Sequence, residues 1–398
     1  MMKLQFGPVL MALMMLLVGL SGCIFDEEST SSGDLLAVFS FSSSNENIRV
    51  GDTVSFDASS STPADGSLTY RWDFDGDLSV DKTGKTAEWS YDSAGTKTVI
   101  LTISDGSGSS EQIRTLTIVD ASAVAPIAEI TQYNDAEDCE DNEIDESTKI
   151  VVWMCHYDKS QSDRDVSETT TISLDASNSD AGDPNEYIPD YHWDLDLNVD
   201  ANNDGDSEND VDLSGESVNW NDVQPGEYEI KLNIVNSQGL VDSDKIKVYV
   251  SYAAKWSDFE IGSNTSDNNE LDFDVSISYD KDSGNTIKKA VAELTYPQQD
   301  DGCLNLANNC RAKLDVYSYN EDDDEAANTS HIGLDQRDDG ENCDEANDCV
   351  HLELRSYLFG DAENDNTYGD GDWTFKIENR ERANDLRVES FIIRLVYV

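Results

Sequence analysis

Basic residues are scarce in this chain: 26 lysines and arginines stand against 83 aspartates and glutamates, a formal net charge of -57. A surface so negative repels nucleic acid and anionic lipid surfaces, and no nucleic-acid partner is expected. Histidine is sparse as well, with His156, His192, His331 and His351 scattered along the sequence. No C-x-x-C spacing occurs, so a thiolate metal site lacks its usual framework. No G-x-S-x-G elbow, H-E-x-x-H pair, phosphate loop or G-x-G-x-x-G after an expected strand is present. A glycosidase-like carboxylate pair is always findable among 83 acids, and for that reason it carries no information. No convincing helical period appears either. A non-enzymatic protein is expected.

Lys3, the apolar run Val9 to Leu20 and the small residues Ser21-Gly22 make a secretory signal peptide over residues 1–22. With Cys23 next, Leu20-Ser21-Gly22-Cys23 resembles the lipobox of prokaryotic lipoproteins. That resemblance implies a lipidated Cys23, a membrane partner reached through that lipid, and a location on the extracellular face of an archaeal or bacterial cell. An ordinary signal peptide or a short membrane anchor is the alternative. Residues 23–34, which include Asp26-Glu-Glu-Ser-Thr-Ser-Ser-Gly-Asp34, read as a flexible tether. The other six cysteines fall as the local pairs Cys139/Cys155, Cys303/Cys310 and Cys343/Cys349, the simplest disulfide set for an oxidising exterior, with thiolate metal binding as its rival. Acidity of this degree has three physical uses: solubility in a saline medium, divalent cation binding, and attraction of cationic partners.

Alternation of apolar and polar residues dominates the rest, in short strands separated by Gly, Asp and Ser, and 38% hydrophobic residues suffice for thin β-sandwiches. An internal repeat organises the first two thirds. Val54-Ser-Phe-Asp-Ala-Ser-Ser-Ser61 recurs as Ile172-Ser-Leu-Asp-Ala-Ser-Asn-Ser179, and Tyr70-Arg-Trp-Asp-Phe-Asp75 as Tyr191-His-Trp-Asp-Leu-Asp196. Ala87-Glu-Trp89 with Gly95 returns as Val218-Asn-Trp220 with Gly226. The offset grows from 118 at Asp57/Asp175 to 121 at Trp72/Trp193 and 131 at Trp89/Trp220, so the second copy carries an insertion between its tryptophans.

These strands resemble the PKD domain (polycystic kidney disease repeat), which implies two immunoglobulin-like sandwiches, over 35–120 and 126–251. Trp72 and Trp193 then sit between the sheets. The family's G-D-G after W-x-F is replaced here by Asp75-Gly76-Asp77 and Asp196-Leu197-Asn198, so no contact of that turn is carried over. Residues 252–398 do not repeat the pattern and read as a third, jelly-roll-like sandwich. Their closing stretch, Gly369-Asp-Gly-Asp-Trp-Thr-Phe-Lys-Ile-Glu-Asn379 with Glu389-Ser-Phe-Ile-Ile-Arg-Leu395, is similar to the end of the P domain of proprotein convertases, and a carbohydrate-binding jelly roll ends comparably. The fold class expected is all-β.

The insertion supplies the strongest metal-ligand candidates: Asp194, Asp196, Asn198, Asp200, Asn202, Asp204, Asp206 and Asp210. Calcium takes six to eight hard oxygen ligands, and Asp200-x-Asn202-x-Asp204-Gly205 matches the opening of a calcium loop, although position twelve is Val211. A calcium ion ordering this loop is expected, against a merely solvated acidic loop. Asp73, Asp75, Asp77 and Asp81 form a thinner version in the first repeat. Further acidic loops lie at 135–146, where eight of twelve residues are acidic, and at 321–325 and 361–372. Asn264-Thr-Ser and Asn328-Thr-Ser fit the glycosylation acceptor pattern. The resulting expectation is an extracellular, lipid-anchored adhesion, binding or display protein with an unidentified protein or glycan ligand. An accessory role in an extracellular peptidase or polysaccharide-degrading system is the alternative.

Overall fold

The computed structural model describes residues 35–45, 47–64, 67–135, 149–202, 206–299, 311–337, 343–360, 367–380 and 384–398. They are nearly all β, and two short 3-10 turns, Leu334–Gln336 and Ser356–Phe359, are the only helical elements among them. The chain divides into two compact units. The first holds the described residues up to Ser44 with Asp52–Tyr91 and Gly95–Leu116; the second holds Asn45–Gly51, Asp92–Ala94 and Thr117–Val398.

In the first unit, a three-stranded sheet (Ser40–Ser43, Thr53–Asp57, Thr86–Ser90) and a four-stranded one (Lys82–Thr83, Thr69–Asp73, Gly95–Ser104, Ser109–Ile118) supply the core. The period of two is clear in Thr53–Asp57, where Val54 and Phe56 are buried and Thr53, Ser55 and Asp57 are exposed. Phe39, Phe56, Trp72 and Phe74 are fully buried. The Phe39 ring meets Trp72 edge-on at 5.1 Å, and Phe56 packs on Phe74 at 4.8 Å. Such aromatic pairs add about 0.5–1.5 kcal/mol beyond the area they bury.

The second repeat reproduces this arrangement inside the second unit. Thr170–Asp175 pairs antiparallel with Ser217–Val223, as Thr53–Asp57 does with Thr86–Ser90. Asp190–Asp194 pairs with Gly226–Val235, as Thr69–Asp73 does with Gly95–Ser104. Each tryptophan is wholly buried and donates its indole N–H to a glycine carbonyl at 2.9 Å, Trp72 to Gly84 and Trp193 to Gly215. Those glycines hold φ of 128° and 135°, a backbone state that side chains rarely adopt.

The residues after the second repeat continue it without a break. One strand, Val241–Ile261, runs 21 residues across the expected 251/252 boundary. Its first half pairs with Gly226–Val235 and its second with Leu386–Val396, while Lys149–Lys159 lies parallel along the middle of both. The resulting nine-stranded sheet extends through Lys289–Pro297 to Asn347–Arg355. A five-stranded sheet faces it, in the order Asp165–Val166, Glu270–Ile277, Gly371–Glu378, Asp315–Tyr319, Glu325–Asn328. In Glu270–Ile277 the inward residues Leu271, Phe273, Val275 and Ile277 are buried and the outward ones exposed. A single hydrophobic cluster reaches from Ile130 to Tyr397, with Trp193 and Trp256 both inside it.

Candidate functional site

Both repeats end a W-D-x-D strand in an acidic turn. In the first, Asp73 is 7% exposed and fully used: its Oδ1 accepts the Gly76 N–H at 2.7 Å and the Asp75 N–H at 3.2 Å, and its Oδ2 accepts the Leu78 N–H at 2.7 Å. Asp81 closes the turn by accepting the Phe74 N–H at 2.7 Å. Carboxylate oxygens of Asp73, Asp75 and Asp81 lie within 4.8 Å of one another, the one such group of three among the described residues. The turn is tight enough to hold Leu78 at φ 67° with 85% of it exposed, a conformation unfavourable for a branched apolar residue. Burial, with Asp81, Asp75 and Asp73 nearby, pushes the Tyr91 hydroxyl far up.

The second repeat keeps the closing contacts. Asp212 accepts the Leu195 N–H at 2.8 Å, as Asp81 does from Phe74, and donates its own N–H to the Trp193 carbonyl at 2.9 Å. What changes is the floor. Asp194, the counterpart of Asp73, is 0% exposed, accepts the Asp196 N–H at 3.2 Å on Oδ1 with the Asp210 N–H as a further neighbour, and leaves Oδ2 without a hydrogen-bond partner. Burial, and then the charges of Asp212 and Asp210, raise its carboxyl above the usual aspartate range. An unpaired buried carboxylate oxygen costs about 1–3 kcal/mol or more, so this position favours a proton or a cation.

The other candidates of the insertion are spread over separate turns. Asp196 accepts the Asn198 N–H at 3.1 Å, and Asp210 accepts those of Ala201 and Asn202 at 2.6 and 3.1 Å. Asn202 donates from Nδ2 to Asn209 at 2.9 Å, and Asp206 accepts the Glu208 N–H at 3.1 Å. Glu208 pairs with Lys245 at 2.7 Å and Lys231 at 3.6 Å. Asp200 has an interaction of its own, and Asp204 lies outside the described residues. Among the described residues no three of these carboxylates bring oxygens within 4.8 Å of one another, so the candidates are not gathered into one cluster, and Asp194 keeps an oxygen without a partner.

Of the cysteines, Cys343 and Cys349 form a disulfide with a Cα separation of 5.8 Å. Cys155 is disulfide-bonded; Cys23, Cys139, Cys303 and Cys310 lie outside the described residues. Asn264 is exposed and donates to the Arg380 carbonyl at 3.2 Å. Asn328 is half-buried, its amide engaged by Glu325 and Ser330.

The repeat strands, the buried tryptophan and the closing acidic turn coincide with a family match over residues 40–119. Residues 40–119 form a PKD domain. Its acidic turn, Asp73–Asp81, lies wholly inside the matched segment. No curated protein is similar in sequence. Among solved structures, carbohydrate-binding modules of the β-sandwich superfamily share 14% identity, covering 92% of this chain and 98% of theirs, with a TM-score of 0.20. The three N-terminal domains of the bacteriophage RB49 outer capsid protein Hoc share 12% over 92% and 98%, at 0.23. The Bacteroides ovatus protein SGBP-B, in complex with a mixed-linkage heptasaccharide, shares 11% over 94% and 98%, at 0.17. Superpositions this loose carry nothing about ligands. The PKD domain, by contrast, is of a kind typically non-catalytic and suggestive of an extracellular or surface protein, and the match speaks for residues 40–119.

Proposed function

We propose that this protein is a non-enzymatic binding or display module of the cell surface, held to the membrane by lipid on Cys23 and stabilised by calcium. The observation that carries the reading is the PKD domain at 40–119, followed by a second copy of its strand pattern and by sandwich sheets through the remaining described residues. The second repeat is read as a further PKD domain, because its tryptophan, glycine and closing aspartate contacts repeat those of the first to within 0.2 Å. The ligand is read as an extracellular glycan or protein. A supporting role beside a peptidase or polysaccharide-degrading enzyme is the second reading, favoured by the same domain type.

Calcium enters at Asp194. The bare Oδ2 at the base of the insertion needs a positive partner, and a calcium ion there would draw in further hard oxygens from Asp196, Asp210 and Asp212 of the same loop. Melting the full chain with calcium and with chelator tests this part; an unchanged melting temperature and no heat of calcium binding contradict it. A glycan and protein array probed with the full chain tests the binding function, and retention of no ligand contradicts it.

A further inference from the structure

A groove of about 540 Å³ opens within the second unit, on the outward face of the five-stranded sheet where the second repeat meets it. Asp165 lies beside Asp274 in the parallel pairing of their strands, and Ser276 and Thr374 continue the floor with Asp372. Ser167–Glu168 and Gln224–Pro225 form the sides. Adjacent strands are ~4.8 Å apart, so Asp165 and Asp274 set like charges side by side, an arrangement that works against the fold.

The same sheet treats its other acids differently. Lys376 reaches Glu270 at 3.0 Å and Asp272 at 3.5 Å, and Arg380 holds Glu378. Lys159 likewise neutralises Glu168 at the edge of the groove. Among the described residues no ion pair reaches Asp165, Asp274 or Asp372. Asp274 receives only the Thr374 hydroxyl, at 3.0 Å. Lys159 touches Asp165 at its main-chain carbonyl, 2.7 Å away, and leaves the groove carboxylates without a matching charge.

The groove acids are dispersed, with no three of their carboxylate oxygens within 4.8 Å of one another. The one set of three acids close enough to share an ion is Asp73, Asp75 and Asp81, in the other unit. Groove acids interleaved with the hydroxyls of Ser167, Ser276 and Thr374 and the amide of Gln224 suit a larger ligand, one with dispersed hydroxyls and an ammonium group. We propose that this groove binds a protonated amino sugar within an extracellular glycan. The proposal rests on the binding-module reading and supplies its ligand class: carboxylates take the ammonium, and hydroxyl and amide groups take the sugar hydroxyls. Excess negative charge over the whole chain draws such a ligand in.

Calorimetric titration of the full chain with a glucosamine oligomer tests this, with its N-acetylated counterpart, spermidine and calcium as parallel probes. Trp373, buried under the groove, gives a second readout by fluorescence. The glucosamine oligomer is expected to bind at least about tenfold tighter than the acetylated one, which keeps the shape and loses the charge. Asp165→Asn and Asp274→Asn are each expected to weaken binding by about tenfold. Asp165→Asn also relieves the like-charge pair, so its melting temperature stays level or rises and lost binding is not lost folding. Equal binding of the acetylated oligomer, equal binding of spermidine, saturation by calcium alone, or indifference to both variants overturns the proposal. If an array retains some other ligand while the glucosamine oligomer fails, this site falls and the binding-module reading stands; if nothing is retained, both fall.

Discussion

The first and second repeats place the same aspartate at the end of the same strand and satisfy it differently. Asp73 has three backbone N–H donors, delivered by a short turn through Gly76 and Leu78. Asp194 has one at hydrogen-bond distance, with the Asp210 N–H a further neighbour, because the longer second loop directs other N–H groups to Asp196, Asp210 and Asp206. Ten added residues between the tryptophans, read as the change of offset from 121 to 131, thus turn a self-capped corner into one with an unmet charge. The lesson is physical. A buried carboxylate is stabilised by local donors or by something from outside, and loop length decides which.

Four measurements sharpen or break that comparison. Truncating either buried tryptophan, Trp72→Ala or Trp193→Ala, is expected to cost about 3–5 kcal/mol in denaturant unfolding. Equal losses support matching cores in the two repeats, and a negligible loss at Trp193 breaks the parallel. Next, Asp73→Ala leaves three N–H groups uncapped and is expected to cost about 2–3 kcal/mol. That loss is the same with calcium and with chelator; a loss confined to the calcium form places the ion in the first repeat instead.

Asp194→Asn has the opposite character. In chelator it removes an unmet buried charge and is expected to stabilise the chain by about 1 kcal/mol. In calcium it forfeits whatever the ion contributes. A variant that is less stable than the parent in chelator as well contradicts the orphaned-carboxylate account.

The smallest effect is in pH. A carboxyl raised in the fold is favoured as the neutral acid. Its stabilising contribution is fully present below the unfolded value of about 3.9 and is lost as pH rises through the folded one. In chelator, the advantage of Asp194→Asn over the parent is therefore small near pH 4 and grows toward neutrality. A constant difference across that range contradicts the assignment.

Much of the fold was legible in the sequence. The repeated segments beginning at Val54, Tyr70 and Ala87 fall on the strands Thr53–Asp57, Thr69–Asp73 and Thr86–Ser90, because period-two burial writes itself directly into residue type. The closing stretches Gly369–Asn379 and Glu389–Leu395 likewise fall on the strands Gly371–Glu378 and Leu386–Val396, while Glu325–Asn328 was hidden behind the acidic run before it. The continuity of Val241–Ile261 was not legible. Tyr249, Val250, Ser251, Tyr252, Ala253 and Ala254 are buried on both faces, and such a run reads equally as an end, a link or a central strand.

The acidic insertion was visible as composition. Which of its oxygens would be left bare was not, since hydrogen-bond satisfaction depends on where backbone N–H groups point after folding. The groove escaped notice for a related reason. Asp165, Asp274 and Asp372 are far apart in sequence and converge only through the parallel pairing of Asp165–Val166 with Glu270–Ile277 and the antiparallel pairing of the latter with Gly371–Glu378.

The contrast between the two turns stands or falls most directly on calcium titration calorimetry of the full chain beside Asp194→Asn and Asp73→Asn. The account predicts that a binding event present in the parent survives Asp73→Asn and disappears in Asp194→Asn. Binding that survives Asp194→Asn unchanged, or no binding in the parent at all, would contradict it.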